Sequence, residues 1–172
     1  MPRLVVVLPL LPLATGEGFT LREWPLHITV APTFVVQQDS NAVIATVSPV
    51  LRSQTRLRVL AGPDEGFGRS QAIPVTVVDP SPELINLHHR LLAALTAVGA
   101  VFDDPDFTGA GYRAHVTKTR LAQVHPGDHL ALDQAAVVDM APEGDRRLRR
   151  VVWTGQLLGA RPEPAGSEGR TP

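Results

Sequence analysis

The chain has 172 residues, enough for one domain with a sizeable core. Hydrophobic residues make up 44% and charged residues 19%, a soluble globular composition on the apolar side of average. A net charge of −1 argues against a broad basic face for duplex DNA, while a small or single-stranded phosphate ligand in a local pocket is still allowed. The absence of cysteine excludes disulfides and thiolate metal sites, and fits a reducing cytoplasm.

Leu4–Leu10 opens the chain as an apolar run. A basic start followed by apolar residues has the outline of a leader peptide, but Pro9 and Pro12 interrupt it and no small-x-small site follows Ala14. A buried strand is the better reading. Thr15–Trp24, with Gly16 and Gly18, reads as a loop, and Leu26–Thr33 as a second strand. Asp39, Ser40 and Asn41 offer N-caps for a helix to about Leu51, which Pro49 threatens to shorten. Arg56–Leu60 alternates into a strand ended by the turn-like Ala61-Gly62-Pro63-Asp64, and Ile73–Val78 is another strand. The clearest helix follows: Ser81 caps it, Pro82 occupies its first turn, and Leu84, Leu87, Leu91, Leu95 and Val98 repeat at helical spacing up to Gly99. Phe102–Gly111 reads as loop and Tyr112–Arg120 as strand. Leu130–Met140 and Leu148–Leu158 read as two strands joined by Pro142-Glu143-Gly144-Asp145. From Ala160 onward Arg, Pro, Glu, Gly and Ser predict a disordered tail, so residues 1–159 form the domain and 160–172 the tail. No segment approaches the roughly 20 apolar residues of a membrane span, and nothing in the composition calls for more than a monomer. The class is α+β, with antiparallel sheets and helices on their outer faces.

Two matching segments stand out: His27-Ile28-Thr29-Val30 and His115-Val116-Thr117-Lys118. Each places a His and a Thr on one face of a strand and sends Ile28 and Val30, or Ala114 and Val116, to the other, as a core requires. In-line cleavage of a phosphodiester needs a base on one side of phosphorus and an acid on the other. Histidine serves both near neutrality, and a hydroxyl two residues along the same face can steady the charge on the non-bridging oxygens. A single His-x-Thr is usually only a half-buried strand histidine. Two copies, on strands in corresponding parts of two loosely parallel halves, favour a site.

The segments Leu26–Val30 and Tyr112–Arg120 resemble the two signature strands of the two-histidine phosphoesterase superfamily, in its 2′-5′ RNA ligase and cyclic phosphodiesterase branch. The resemblance extends from Leu4 to about Leu158. It implies a bilobal fold, two antiparallel sheets each giving one motif to a central cleft, and action on 2′,3′-cyclic phosphates or 2′-5′ linkages of RNA or nucleotides without metal, ATP or other cofactor. By motif position, His27 and His115 are the acid–base pair and Thr29 and Thr117 the phosphate donors. For cyclic-phosphate hydrolysis His115 activates water and His27 protonates the leaving oxygen. Arg120 matches a basic position that follows the second motif. Three departures bear on the substrate. Leu11–Leu26 replaces a sizeable helix, which predicts a more open cleft on that side. Lys118 stands where an apolar residue is usual, and Ala114 where proline is common. Cyclic oligonucleotides or an ADP-ribose cyclic phosphate are alternative substrates, and a non-catalytic nucleotide- or RNA-binding module is the rival of another class.

Further candidates each carry a plainer reading. Arg113 shares the face of His115 and could reach a phosphate or base, or could be an ordinary exposed strand charge. Tyr112 and Phe67 could stack on a nucleobase, although aromatics are more often packed. Trp24 reads as core or lid, and Gly66-Phe67-Gly68-Arg69 as a flexible loop able to close on substrate. His88 borders the helix's apolar stripe while His89 faces solvent, with no ligand cluster for a metal. His125 and His129 read as a solvated loop. Arg146, Arg147, Arg149 and Arg150 read as a solvated strand edge, with RNA-backbone contact the alternative.

Overall fold

A computed structural model describes residues 1–160; the tail expected beyond residue 159 falls, apart from Ala160, outside the described residues. Ten antiparallel strands and two helices follow the order β1 (Arg3–Pro9), β2 (Gly18–Thr20), β3 (His27–Val35), α1 (Ser40–Arg52), β4 (Leu57–Phe67), β5 (Ile73–Val78), α2 (Pro82–Ala97), β6 (Val101–Phe102), β7 (His115–Thr117), β8 (His129–Leu132), β9 (Gln134–Asp139) and β10 (Leu148–Gln156). Their spatial order is β2-β10-β9-β1-β3-β7-β5-β4-β8, with β6 pairing β3. One lobe holds β2, β10, β9, β1 and β3, the other β7, β5, β4 and β8. They join where β3 meets β7 through the single register pair Ile28–Val116. The class is α+β, as the pattern predicts, and the sheet curls into a half-barrel.

The unbroken apolar run of β1 follows from its position. It lies between β9 and β3, and its two faces feed two cores. Leu4, Val6 and Leu8 join the large core under the helices. Val5 and Val7 join a smaller one with Leu13, Ala136, Val138, Met140 and Val151 on the opposite face. A strand covered on both sides has no polar alternation to show.

Both helix caps form as the sequence predicts. The Asp39 carboxylate accepts from the Ala42 amide at 2.9 Å, and Ser81 Oγ from the Leu84 amide at 3.3 Å. Pro49 lies inside α1 without ending it. Leu84, Leu87, Leu91 and Leu95 of α2 are all at most 1% exposed, each burial contributing roughly 2 kcal/mol.

Four boundaries depart from the sequence reading, most of them through pairing with strands distant in the chain. Ala61-Gly62-Pro63-Asp64 is no turn: β4 runs through it to Phe67, with a register shift between Ala61 and Asp64 that accommodates Pro63 in a bulge. That extension pairs Gly66 with Pro74 and Phe67 with Ile73, so the expected flexible loop at Gly66–Gly68 begins as hairpin strand. The second motif strand is only His115–Thr117, because Thr119 Oγ1 accepts from the amides of Leu121 and Ala122 and turns the chain away. Leu130–Met140 divides at Asp133: β8 pairs with β4 in one lobe, whereas β9 pairs with β1 and β10 in the other. The loop read into Thr15–Trp24 also contains β2, which pairs with β10. Among the described residues no helix is long and apolar enough to cross a membrane.

Candidate active site

The pair Ile28–Val116 sets the site. Both residues are fully buried on the helix side, so their neighbours project from the opposite, open face. Antiparallel register then puts His27 across from Thr117 and Thr29 across from His115, with Cβ separations of about 5 Å for such partners. All four motif side chains converge on one patch.

The two histidines are held alike. His27 Nδ1 lies 2.7 Å from the carbonyl of Pro25, and His115 Nδ1 2.8 Å from that of Arg113. A carbonyl can only accept, so Nδ1 carries the proton and the neutral ring offers its Nε2 lone pair to the cleft. Each ring also rests against an aromatic: His27 stacks on Trp24 at 4.5 Å between centroids, and His115 tilts against Phe67 at 4.6 Å. Burial, partly opposed by the Pro25 carbonyl and reinforced by the charge of His115, lowers the His27 pKa to about 4. Burial, opposed by the Arg113 carbonyl, lowers that of His115 as well. Both rings are therefore mainly neutral at pH 7.

Leu11–Leu26, which stands in place of the helix usual in the family it resembles, folds over the small core on the cleft face. Gln134 pins it by a two-way exchange with the Leu13 backbone, both bonds 2.9 Å, and Phe19 and Trp24 pack on that core. The expected opening on this side is thus partly filled by Trp24 against His27. Two cavities flank the motifs and meet at Thr117. One, of ≈ 480 Å³, lies on the His27 side and takes in Trp24, Lys118 and Arg120. The other, of ≈ 270 Å³, lies on the His115 side and is walled by Thr29, Phe67, Phe107, Tyr112 and Arg113.

The remaining candidates divide. Phe67 lines the second cavity beside His115, and Arg120 lines the first. Arg113 reaches the second cavity, but its fork is spent on Glu65, with both bonds 2.9 Å, and it lies 5.3 Å over the Phe67 ring. Lys118, the unusual residue after the second Thr, pairs with Asp64 at 2.7 Å. Tyr112 borders the cavity, yet its ring is stacked face-on against His88 at 3.9 Å and its hydroxyl donates to the Thr29 carbonyl at 2.8 Å. His125 is solvent-facing, as expected, while His129 opens β8. In the basic cluster, Arg147 and Arg150 pair with Asp145 and Glu143 at the surface. Arg149 departs from the expected solvated edge, being only 6% exposed.

His88 is what the sequence reading undervalued. It is fully buried; Nδ1 donates to the Val30 carbonyl at 2.8 Å and Nε2 accepts from the Gly109 amide at 2.9 Å. It therefore ties the first motif strand to the segment leading into the second. The signal was present: position 88 is four after Leu84, on the core stripe, where a polar group must find partners.

Two lobes joined at a narrow ladder, with a His-x-Thr from each facing one cleft, define a two-histidine phosphoesterase. The match of a family model over residues 17–152 places the chain in the 2′-5′ RNA ligase superfamily, to which it belongs. Solved structures similar to it include a phosphoesterase (TM-score 0.57, 16% identity, covering 91% of this chain and 98% of that one). E. coli LigT complexed with NADP+ is similar as well (0.58, 15%, 91% and 97%), as is the Thermus thermophilus protein TT0787 (0.57, 13%, 92% and 100%). At these identities the likeness is one of fold. No curated protein matches the chain.

Proposed function

We propose that this member of the superfamily is a phosphodiesterase that opens 2′,3′-cyclic phosphates or 2′-5′ linkages of RNA-type nucleotides by acid–base catalysis between His27 and His115. The observation that carries the reading is the register through Ile28 and Val116, which faces a His and a Thr from each lobe across one cleft. Each neutral ring offers Nε2 to that cleft. In hydrolysis of a cyclic phosphate, His115 Nε2 takes a proton from the attacking water. The water oxygen bonds to phosphorus, the bond to the ribose 2′ or 3′ oxygen breaks, and the imidazolium of His27 gives its proton to that oxygen. Thr29 and Thr117 hydroxyls donate to the non-bridging oxygens as charge builds there. The same sequence with a nucleoside hydroxyl in place of water is ligation, and its reverse opens a 2′-5′ linkage to the cyclic phosphate. An arriving phosphate raises both histidine pKa values and so supplies the protonated partner that the free protein lacks.

Phe67 and Tyr112 give the apolar cavity a flat wall suited to a base, with Arg113 holding Phe67 in place, and Arg120 supplies positive charge on the other side. LigT has been solved with 3′-AMP and with NADP+, which supports a nucleotide ligand for this cleft also. The reading needs no metal or cofactor, and a monomer in a reducing cytoplasm suits a chain without cysteine. The test is hydrolysis of the four nucleoside 2′,3′-cyclic monophosphates with EDTA present, wild type beside His115→Ala. Turnover that persists in EDTA and falls by about 10²–10⁴ in the variant is expected. Absence of turnover in the wild type, or equal turnover in the variant, refutes the reading.

A further inference from the structure

The two cavities differ in chemistry. The His115 side is mostly aromatic and aliphatic. The His27 side is lined by Arg22, Lys118, Arg120 and Arg149 together with His27, and by no carboxylate. Lys118 is neutralised by Asp64, but among the described residues Arg22, Arg120 and Arg149 have no carboxylate within salt-bridge distance. Arg149 is the unusual one. It projects from β10 beneath the Trp24 ring, 5.2 Å from its centroid, and is 6% exposed.

Its Nη1 donates to the carbonyls of Met140, Arg146 and Leu148 at 2.8, 2.8 and 2.7 Å. All three bonds use that one nitrogen, and the buried Nε has no partner. Three neutral carbonyls are ample to hold a hairpin but leave the charge without an ion pair, and the Asp139 carboxylate acts on it only from beyond salt-bridge distance. Burying a guanidinium without a counter-ion is costly. The cost is returned when an anion enters the cavity, and an anion there lies beside His27 and Thr117.

We propose that this cavity is a second phosphate subsite, which selects substrates carrying another phosphate next to the scissile one: a 5′-phosphorylated or oligonucleotide end rather than a bare nucleoside cyclic phosphate. The inference rests on the phosphodiesterase reading and adds an orientation to it. The base lies toward Phe67, and the flanking phosphate toward Arg149, Arg22 and Arg120.

The test compares kcat/KM for adenosine 2′,3′-cyclic phosphate with and without a 5′-phosphate, in wild type, Arg149→Met and Arg22→Gln. A charge-assisted contact at a half-desolvated site is worth about tenfold or more. The 5′-phosphate is therefore expected to raise kcat/KM at least tenfold in the wild type. Arg149→Met should bring the ratio of the two substrates close to one, and the ratio should shrink as salt is raised. Arg22 sits on an exposed loop, so Arg22→Gln keeps its fold even where Arg149→Met does not, and it should lower the same ratio severalfold. Equal kcat/KM for both substrates in the wild type, or a ratio unmoved in both variants, overturns the subsite while the phosphodiesterase reading stands. Turnover of neither substrate overturns both.

Discussion

The low pKa of His27 makes acid stability a direct probe of the site. An ordinary histidine titrates near 6.5, and this one is lowered to about 4, chiefly by burial. In the unfolded chain the ring takes its proton near 6.5, so between about pH 6.5 and 4 the unfolded state binds more protons than the folded one. Stability from this group is complete above about 6.5, falls as pH drops toward 4, and is level below that. The full interval, at about 1.4 kcal/mol per tenfold change in affinity, sets a ceiling of about 3 kcal/mol. The ring is only part-buried, with its Nε2 edge on the cavity, so solvent screening reduces the expected loss to roughly 1–2 kcal/mol. His27→Phe keeps an aromatic against Trp24 and removes the titration. Urea unfolding of both proteins at about pH 7 and about pH 4.5 isolates the term, because carboxylates and the other histidines are common to both. The wild type should lose roughly 1–2 kcal/mol more than His27→Phe over that interval. Equal losses would refute the burial argument, and a smaller loss in the wild type would reverse its sign.

His27→Ala should lower kcat by about 10²–10⁴ on any cyclic phosphate the wild type opens, with folding shown by an unchanged far-ultraviolet spectrum. Tyr112→Phe removes the donor to the Thr29 carbonyl and should cost about 1 kcal/mol in urea unfolding together with a measurable fall in kcat, whereas a purely surface tyrosine would change neither. His88→Leu leaves the Val30 carbonyl and the Gly109 amide without partners and should cost about 2–4 kcal/mol by thermal or urea unfolding; an unchanged midpoint would show that the clamp holds nothing. Leu91→Ala, in the fully buried stripe of α2, should cost about 2–5 kcal/mol by the same assay.

Which features could be read from the chain follows from the range of the forces involved. Helix caps at Asp39 and Ser81, the stripe of α2 and the β1 run are local patterns, and all were legible. The motif strands were legible in which face each residue takes, since Ile28 and Val116 are buried as the alternation requires. The boundaries that misled depend on partners distant in sequence. Gly62-Pro63 reads as a turn until β5 is alongside to accept a bulge, and Leu130–Met140 reads as one strand until β4 and β1 claim its two ends. In the site, the motif quartet was visible but its supports were not. Glu65 on Arg113 and Asp64 on Lys118 lie far along the chain from their partners. No spacing in the sequence encodes them. Arg149 looked like its neighbours because four arginines in five positions conceal which one faces inward.

The electrostatics of the cleft then form one problem and not two. In the free protein His27 is nearly all neutral at pH 7, about one ring in a thousand protonated for a pKa near 4. A general acid so deprived cannot act until its proton is restored. A phosphate entering beside it restores that proton, because its charge favours the imidazolium. A substrate bringing two phosphates does so more strongly than one bringing a single charge. Burial disarms His27 in the free protein, and the basic cavity beside it, by drawing phosphate in, makes its protonation depend on what is bound. On this argument selectivity for phosphate-rich ends appears in kcat as well as in KM, because the second phosphate helps to set the proton inventory of the catalytic pair.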